Sequence, residues 1–224
     1  MKSATSANRL LQCTAGASAV ELALVAPIFL LLVLGVIDLG ILMWQWNSAA
    51  KATHWGARTA VVSTPVASGI ISPGWNHLLI GEPCLDAATG LPLKTGTGTN
   101  YCPAVDTVCT ADSAPSTSGT CSSGYAFDNG AFEAVYARMR AIYPQLGRQN
   151  VQIAYKTTGL GFVGRPGGLP MTVAISVRCM TYDLIVLDSL LGWLVPSNPC
   201  GGAPPGWPIP ESRTVLTSEA LGTS

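Results

Sequence analysis

Charge is what this sequence has least of. Only 11% of its 224 residues are charged, with 12 basic residues against 12 acidic ones. No concentrated Lys/Arg excess is present to neutralise phosphates, which argues against nucleic acid as a partner. Histidine is equally scarce: His54 and His77 are the whole supply, and no C-x-x-C pair accompanies them. A zinc set is therefore not expected. Neither histidine has a nucleophile and orienting group placed near it in sequence, so no hydrolytic triad or paired-carboxylate site is read and no enzymatic activity is expected. Aromatics make up 7% while hydrophobic residues make up 48%. The apolar content is thus largely aliphatic, and much of it lies near the N-terminus.

That stretch is the main thing present. No charged residue occurs from Leu22 to Ile37, and beyond Asp38 the apolar run resumes from Leu39 to Trp44, long enough to span a bilayer. Glu21 stands at its doorstep, where an ionised group costs a few kcal/mol unless a partner meets it. Gly16 precedes Glu21 by five residues. A cut after Gly16 creates a new α-amine on Ala17, one helical turn from Glu21 and able to neutralise it within the chain or from a neighbouring subunit.

The segments Gly16-Ala-Ser-Ala-Val-Glu-Leu-Ala-Leu-Val-Ala-Pro27, Gly35-Val-Ile-Asp-Leu-Gly40 and Trp55-Gly-Ala-Arg-Thr-Ala-Val61 resemble the TadE-like family of pseudopilins of the bacterial tight-adherence (Flp, type IVb) pilus. The resemblance implies processing by a prepilin peptidase between Gly16 and Ala17, with Glu21 guiding subunit docking through the adjacent N-terminus. It further implies a single-pass protein of the bacterial inner membrane that meets other pilin subunits and the membrane assembly platform, in a TadE or a TadF branch. Two departures, a Cys-, Gly- and Thr-rich insert at 64–126 and a Pro-rich segment near 196–210, leave the head's particular role open. The competing expectations for the N-terminus are an ordinary signal peptide cut near Ser48-Ala49-Ala50 and an uncut signal anchor carrying an adhesin or envelope-binding head.

Of seven cysteines, Cys13 precedes the expected cut, leaving Cys84, Cys102, Cys109, Cys121, Cys179 and Cys200 as disulfide candidates. Six thiols permit about 15 pairings, and spacing does not choose among them. Lys2 and Arg9 before the span balance Lys51 and Arg58 after it, so the positive-inside rule leaves orientation open. Disulfides resolve it by requiring the C-terminal bulk to lie outside the cytoplasm.

The organisation expected is a leader at 1–16, a transmembrane and stalk helix at 17–63, the insert at 64–126 and a head at 127–224. Thr64-Pro65 stops the first helix. A second helix starts at Asp128 or Asn129 and carries Phe132, Val135, Tyr136, Met139, Ile142 and Tyr143 at helical spacing, before Pro144 and Gly147 end it. Val151, Ile153 and Tyr155, then Val173, Ile175, Val177 and Cys179, alternate as two half-buried strands, and 213–219 adds a weaker third. Leu184–Val195 is too short to span and is either buried or a docking patch. Gly159-Leu-Gly-Phe-Val-Gly164 matches a dinucleotide fingerprint, but Pro166 and Pro170 forbid the helix it must open, so no cofactor is expected. The fold class is α+β: a long N-terminal transmembrane/stalk helix, then a small disulfide-stapled head with one helix packed on a short antiparallel sheet.

Overall fold

The computed structural model describes residues 14–70, 89, 91, 105–157, 171–182, 184 and 207–218, with side chains of the first helix described from Ala19 onward. Helix α1 runs unbroken through Pro27 from Thr14 to Ala60, and Arg58 in its last turn complements the negative end of the helix dipole. Short β1 (Ala67–Ser68) pairs with β4 (Ala126–Phe127). The main sheet holds β2 (Asp106–Ala111), β3 (Gly119–Cys121), β5 (Val151–Thr157), β6 (Met171–Val177) and β9 (Ser212–Thr217) in the antiparallel order β3-β2-β5-β6-β9. Helix α2 (Asn129–Ile142) precedes β5, and β7 (Thr181–Tyr182) pairs with β8 (Trp207–Pro208).

The period-2 alternation of β5 and β6 puts one row of side chains inward. Because Cys121 opposes Cys109, Cys109 opposes Ile153, Ile153 opposes Ile175 and Ile175 opposes Thr214, a single inward row crosses all five strands. The Cys109–Cys121 disulfide staples edge strand β3 to β2 within that row. Asp128 caps α2, its carboxylate accepting from the Ala131 amide at 3.1 Å. The stripe Phe132, Val135, Tyr136 and Met139 then faces the core. Arg148 fastens the other end of this segment: it pairs with Glu133, donates to Asn129 Oδ1 at 2.8 Å and lies over the Phe132 ring at 5.3 Å.

Two expectations need correction. The end of α1 is not a free stalk: Ala49, Ala52, Ala57 and Ala60 are at most 1% exposed, so a second helical layer covers the sheet beside α2. Small side chains let the helix approach closely enough to make this burial possible. The boundary at 126/127 is not structural, since β2 and β3 of the 64–126 segment complete the head's sheet and β2 is an interior strand. Asp38, midway along α1, is 2% exposed and engaged by a partner. Cys179 is also disulfide-bonded. Cys13, Cys84, Cys102, Cys200, His77, the Gly159–Gly164 motif and most of Leu184–Val195 lie outside the described residues, although Leu184 itself is buried.

Tyr155 ties the loop after α1 to the sheet. Its hydroxyl accepts the Val66 amide hydrogen at 3.0 Å, and burial pushes its pKa up to about 12. A tyrosine that holds its proton more tightly when folded contributes stability fully present below pH ~10, its unfolded pKa, and lost as pH rises toward about 12. Stability measured by denaturant titration should therefore fall across that alkaline window, and Tyr155→Phe should flatten the fall while costing about 1–3 kcal/mol at neutral pH for the orphaned amide. The disulfide is open to an equally direct check. Closing a separation of 12 residues, it should contribute about 2–4 kcal/mol, so Cys109→Ser with Cys121→Ser should lower the unfolding free energy from denaturant titration by that amount.

Candidate functional site

Along α1 the exposed and buried residues divide into two faces. Leu22, Leu24, Ile28, Phe29 and Leu32 are all exposed, and Ala19–Ala60 is, among the described residues, the one helix long and apolar enough to cross a membrane. From Gly35 onward one face is buried, at Gly35, Asp38, Gln45, Ala49, Ala52, Thr53, Gly56, Ala57 and Ala60, with Leu42 packed beside it. That spacing of three and four residues is a helix contact stripe. It was present in the sequence as small and polar residues, but reading it required knowing which neighbour lay alongside.

Glu21 falls on the exposed side among aliphatic neighbours. Among the described residues no hydrogen bond or ion pair reaches it. The Gly16–Ala17 bond lies within the helix, which begins at Thr14. At about 1.5 Å rise per residue, an amine on Ala17 would be about 6 Å along the axis from Glu21. Cleavage there would also bring the carboxylate near the positive end of the helix dipole, 17 residues closer to that end than Asp38. Gly16, Ala17 and Glu21 are thus gathered on two turns of one element, with no contribution from the head.

The head grips the other end of α1 through three contacts. Gly56 marks the closest: a Cβ there would lie 2.6 Å from Met139 Sδ, 2.7 Å from its Cγ and 3.2 Å from Ile175 Cδ1, so any side chain there must displace the buried Met139 side chain. Thr53 donates its hydroxyl proton to the Ala50 carbonyl at 2.8 Å, which leaves its lone pairs for the hydroxyls of Thr214 at 3.0 Å and Ser212 at 3.3 Å. Tyr143 donates to Gln45 Oε1 at 3.3 Å, and burial raises its pKa. Among the described residues no cluster of His, Cys, Asp or Glu could hold a metal ion. His54 is exposed on α1.

These features define a class of protein: an α+β head built directly onto the distal half of a single apolar, membrane-length helix. Residues 16–58 match the TadE-like protein family. The matched segment is α1 itself, from Gly16 to two residues short of its end, and takes in both the exposed apolar face and the stripe buried by the head. No curated protein and no solved structure matches the chain.

Gly56→Leu should overpack the junction by about 1–3 kcal/mol or more and lower Tm in detergent. Gly40→Ala, where a Cβ meets nothing within 4 Å, should leave Tm unchanged or slightly raised, since alanine is the better helix former by about 1 kcal/mol.

Proposed function

We propose that the protein is a minor pseudopilin of a tight-adherence pilus, cut after Gly16 by a prepilin peptidase and then used as a membrane-held building block. One observation carries the reading. The family match begins at Gly16, and five residues on, an exposed glutamate with no partner among the described residues stands on a membrane-length apolar helix.

In this reading the peptidase performs the only chemistry, and the chain is its substrate. Glycine before the cut leaves the backbone open to approach. Ala17 then supplies an ammonium, and Glu21 meets it within the chain or across to the helix of a neighbouring pilin subunit. Where the pair forms between subunits it is satisfied only when their helices are in register, so a desolvated charge becomes a device for ordering subunits. The Cys109–Cys121 disulfide and the bonded Cys179 support an oxidising compartment for the head. The chain would then lie in the bacterial inner membrane with its head extracytoplasmic, against the bilayer, other pilin subunits and the assembly platform.

Intact-mass spectrometry of the native protein should give an N-terminus at Ala17. Glu21→Gln and Glu21→Ala should reduce pilus assembly while membrane insertion and the head's Tm stay unchanged. Retention of Met1 in piliated cells, or full assembly with Glu21→Leu, would instead identify a plain signal anchor that bears an adhesin or envelope-binding head.

A further inference from the structure

The level at which the head meets the bilayer is set by three residues in a row. Gln45 is buried and receives the Tyr143 hydroxyl at 3.3 Å, while its neighbours Trp44 and Trp46 are 66% and 39% exposed. The hydrogen bond places the C-terminal end of α2 beside this pair of tryptophans. Helix α2 runs opposite to α1: Met139 packs at Gly56, whereas Tyr143, one turn later, reaches Gln45, eleven residues earlier on α1. Its last turn therefore points toward the membrane-spanning half, and that turn carries exposed Arg140 and Ala141, followed by exposed Pro144 and Gln145.

Distance along the helix gives the depth. Trp44 is 23 residues beyond Glu21, or about 34 Å at about 1.5 Å per residue. The hydrocarbon core is about 30 Å thick and the bilayer with its headgroups about 40–45 Å, so with Glu21 at one boundary Trp44 reaches the opposite headgroup layer. Gly35 and Asp38, about 21 and 26 Å beyond Glu21, are covered by protein too, so the covered stretch of α1 begins just below the headgroup layer and no bare stalk separates span from head.

Resting on the membrane-spanning reading of α1, we infer that the end of the head formed by Trp44, Trp46 and the last turn of α2 is a lipid-contacting surface seated in the headgroup layer. The two indole rings lie at the interface, where amphipathic aromatics are enriched. The Arg140 guanidinium meets lipid phosphates. Trp55, 55% exposed on the same helix but about 17 Å farther along, stands clear of the lipid.

The full chain, reconstituted in phosphatidylcholine vesicles brominated either beneath the headgroup or near the chain ends, tests this by tryptophan quenching. Trp44→Phe with Trp46→Phe should lose most of the quenching by bromines beneath the headgroup, and Trp55→Phe should lose none. In the otherwise unchanged chain, Ala141→Trp should gain headgroup-level quenching while Ala134→Trp, exposed two turns earlier on α2, should not; this pair answers the question even if the double variant fails to fold. Unchanged quenching in the double variant that folds, or equal response at positions 134 and 141, overturns the seated head. Phe29→Trp separates the two readings. If it is quenched by chain-end bromines while Ala141→Trp is silent, the span stands and the seated head falls; if it is not quenched, the span itself falls.

Discussion

The close packing of α1 against α2 and β6 at Gly56 is the contact on which the rest of the structure depends. A helix approaches a sheet and a second helix this closely only where it presents little side chain, and Ala49, Ala52, Gly56, Ala57 and Ala60 present almost none. The membrane helix and the soluble head consequently share one core. Displacing the helix along its axis would bring larger side chains into the space these residues leave, and would break the hydroxyl set of Thr53, Ser212 and Thr214. The head is thus held at one fixed position along α1.

Two carboxylates on that helix illustrate different answers to one electrostatic problem. Asp38 is buried at 2% exposure and engaged within the fold. Glu21 is exposed on the apolar side with no partner among the described residues. An ionised group in an apolar setting must find a counter-charge or hydrogen bonds. Asp38 has found its answer inside the molecule, whereas Glu21 has no such answer among the described residues. The family match spans both residues, and the pairing of an internally satisfied acid with an externally directed one is the most specific electrostatic feature of the segment.

Local patterns were legible where a segment's own periodicity decides its state. The cap at Asp128, the stripe from Phe132 to Met139 and the alternation in β5 and β6 all take their form from side chains within a few residues. The strand β2 was not legible, because its Thr- and Cys-rich run resembles loop until β5 and β3 supply hydrogen-bonding neighbours on both sides. Likewise Ala49, Ala52 and Ala60 enter the core while Trp44 and Trp55 on the same helix remain outside, a division that needs the neighbouring surface to be known.

Sequence alone determined the membrane-length helix, the Gly16–Glu21 spacing and the elements of the head, since hydrophobic run length, charge position and short-range periodicity depend only on neighbours along the chain. Tertiary structure alone decided that the distal half of α1 is core, that the Cys-rich segment completes the sheet, that Cys109 pairs with Cys121, and that Asp38 is hidden while Glu21 is not. Each of these is a question of which surface meets which across a long separation in sequence, and only the closed packing of helices on sheet answers it.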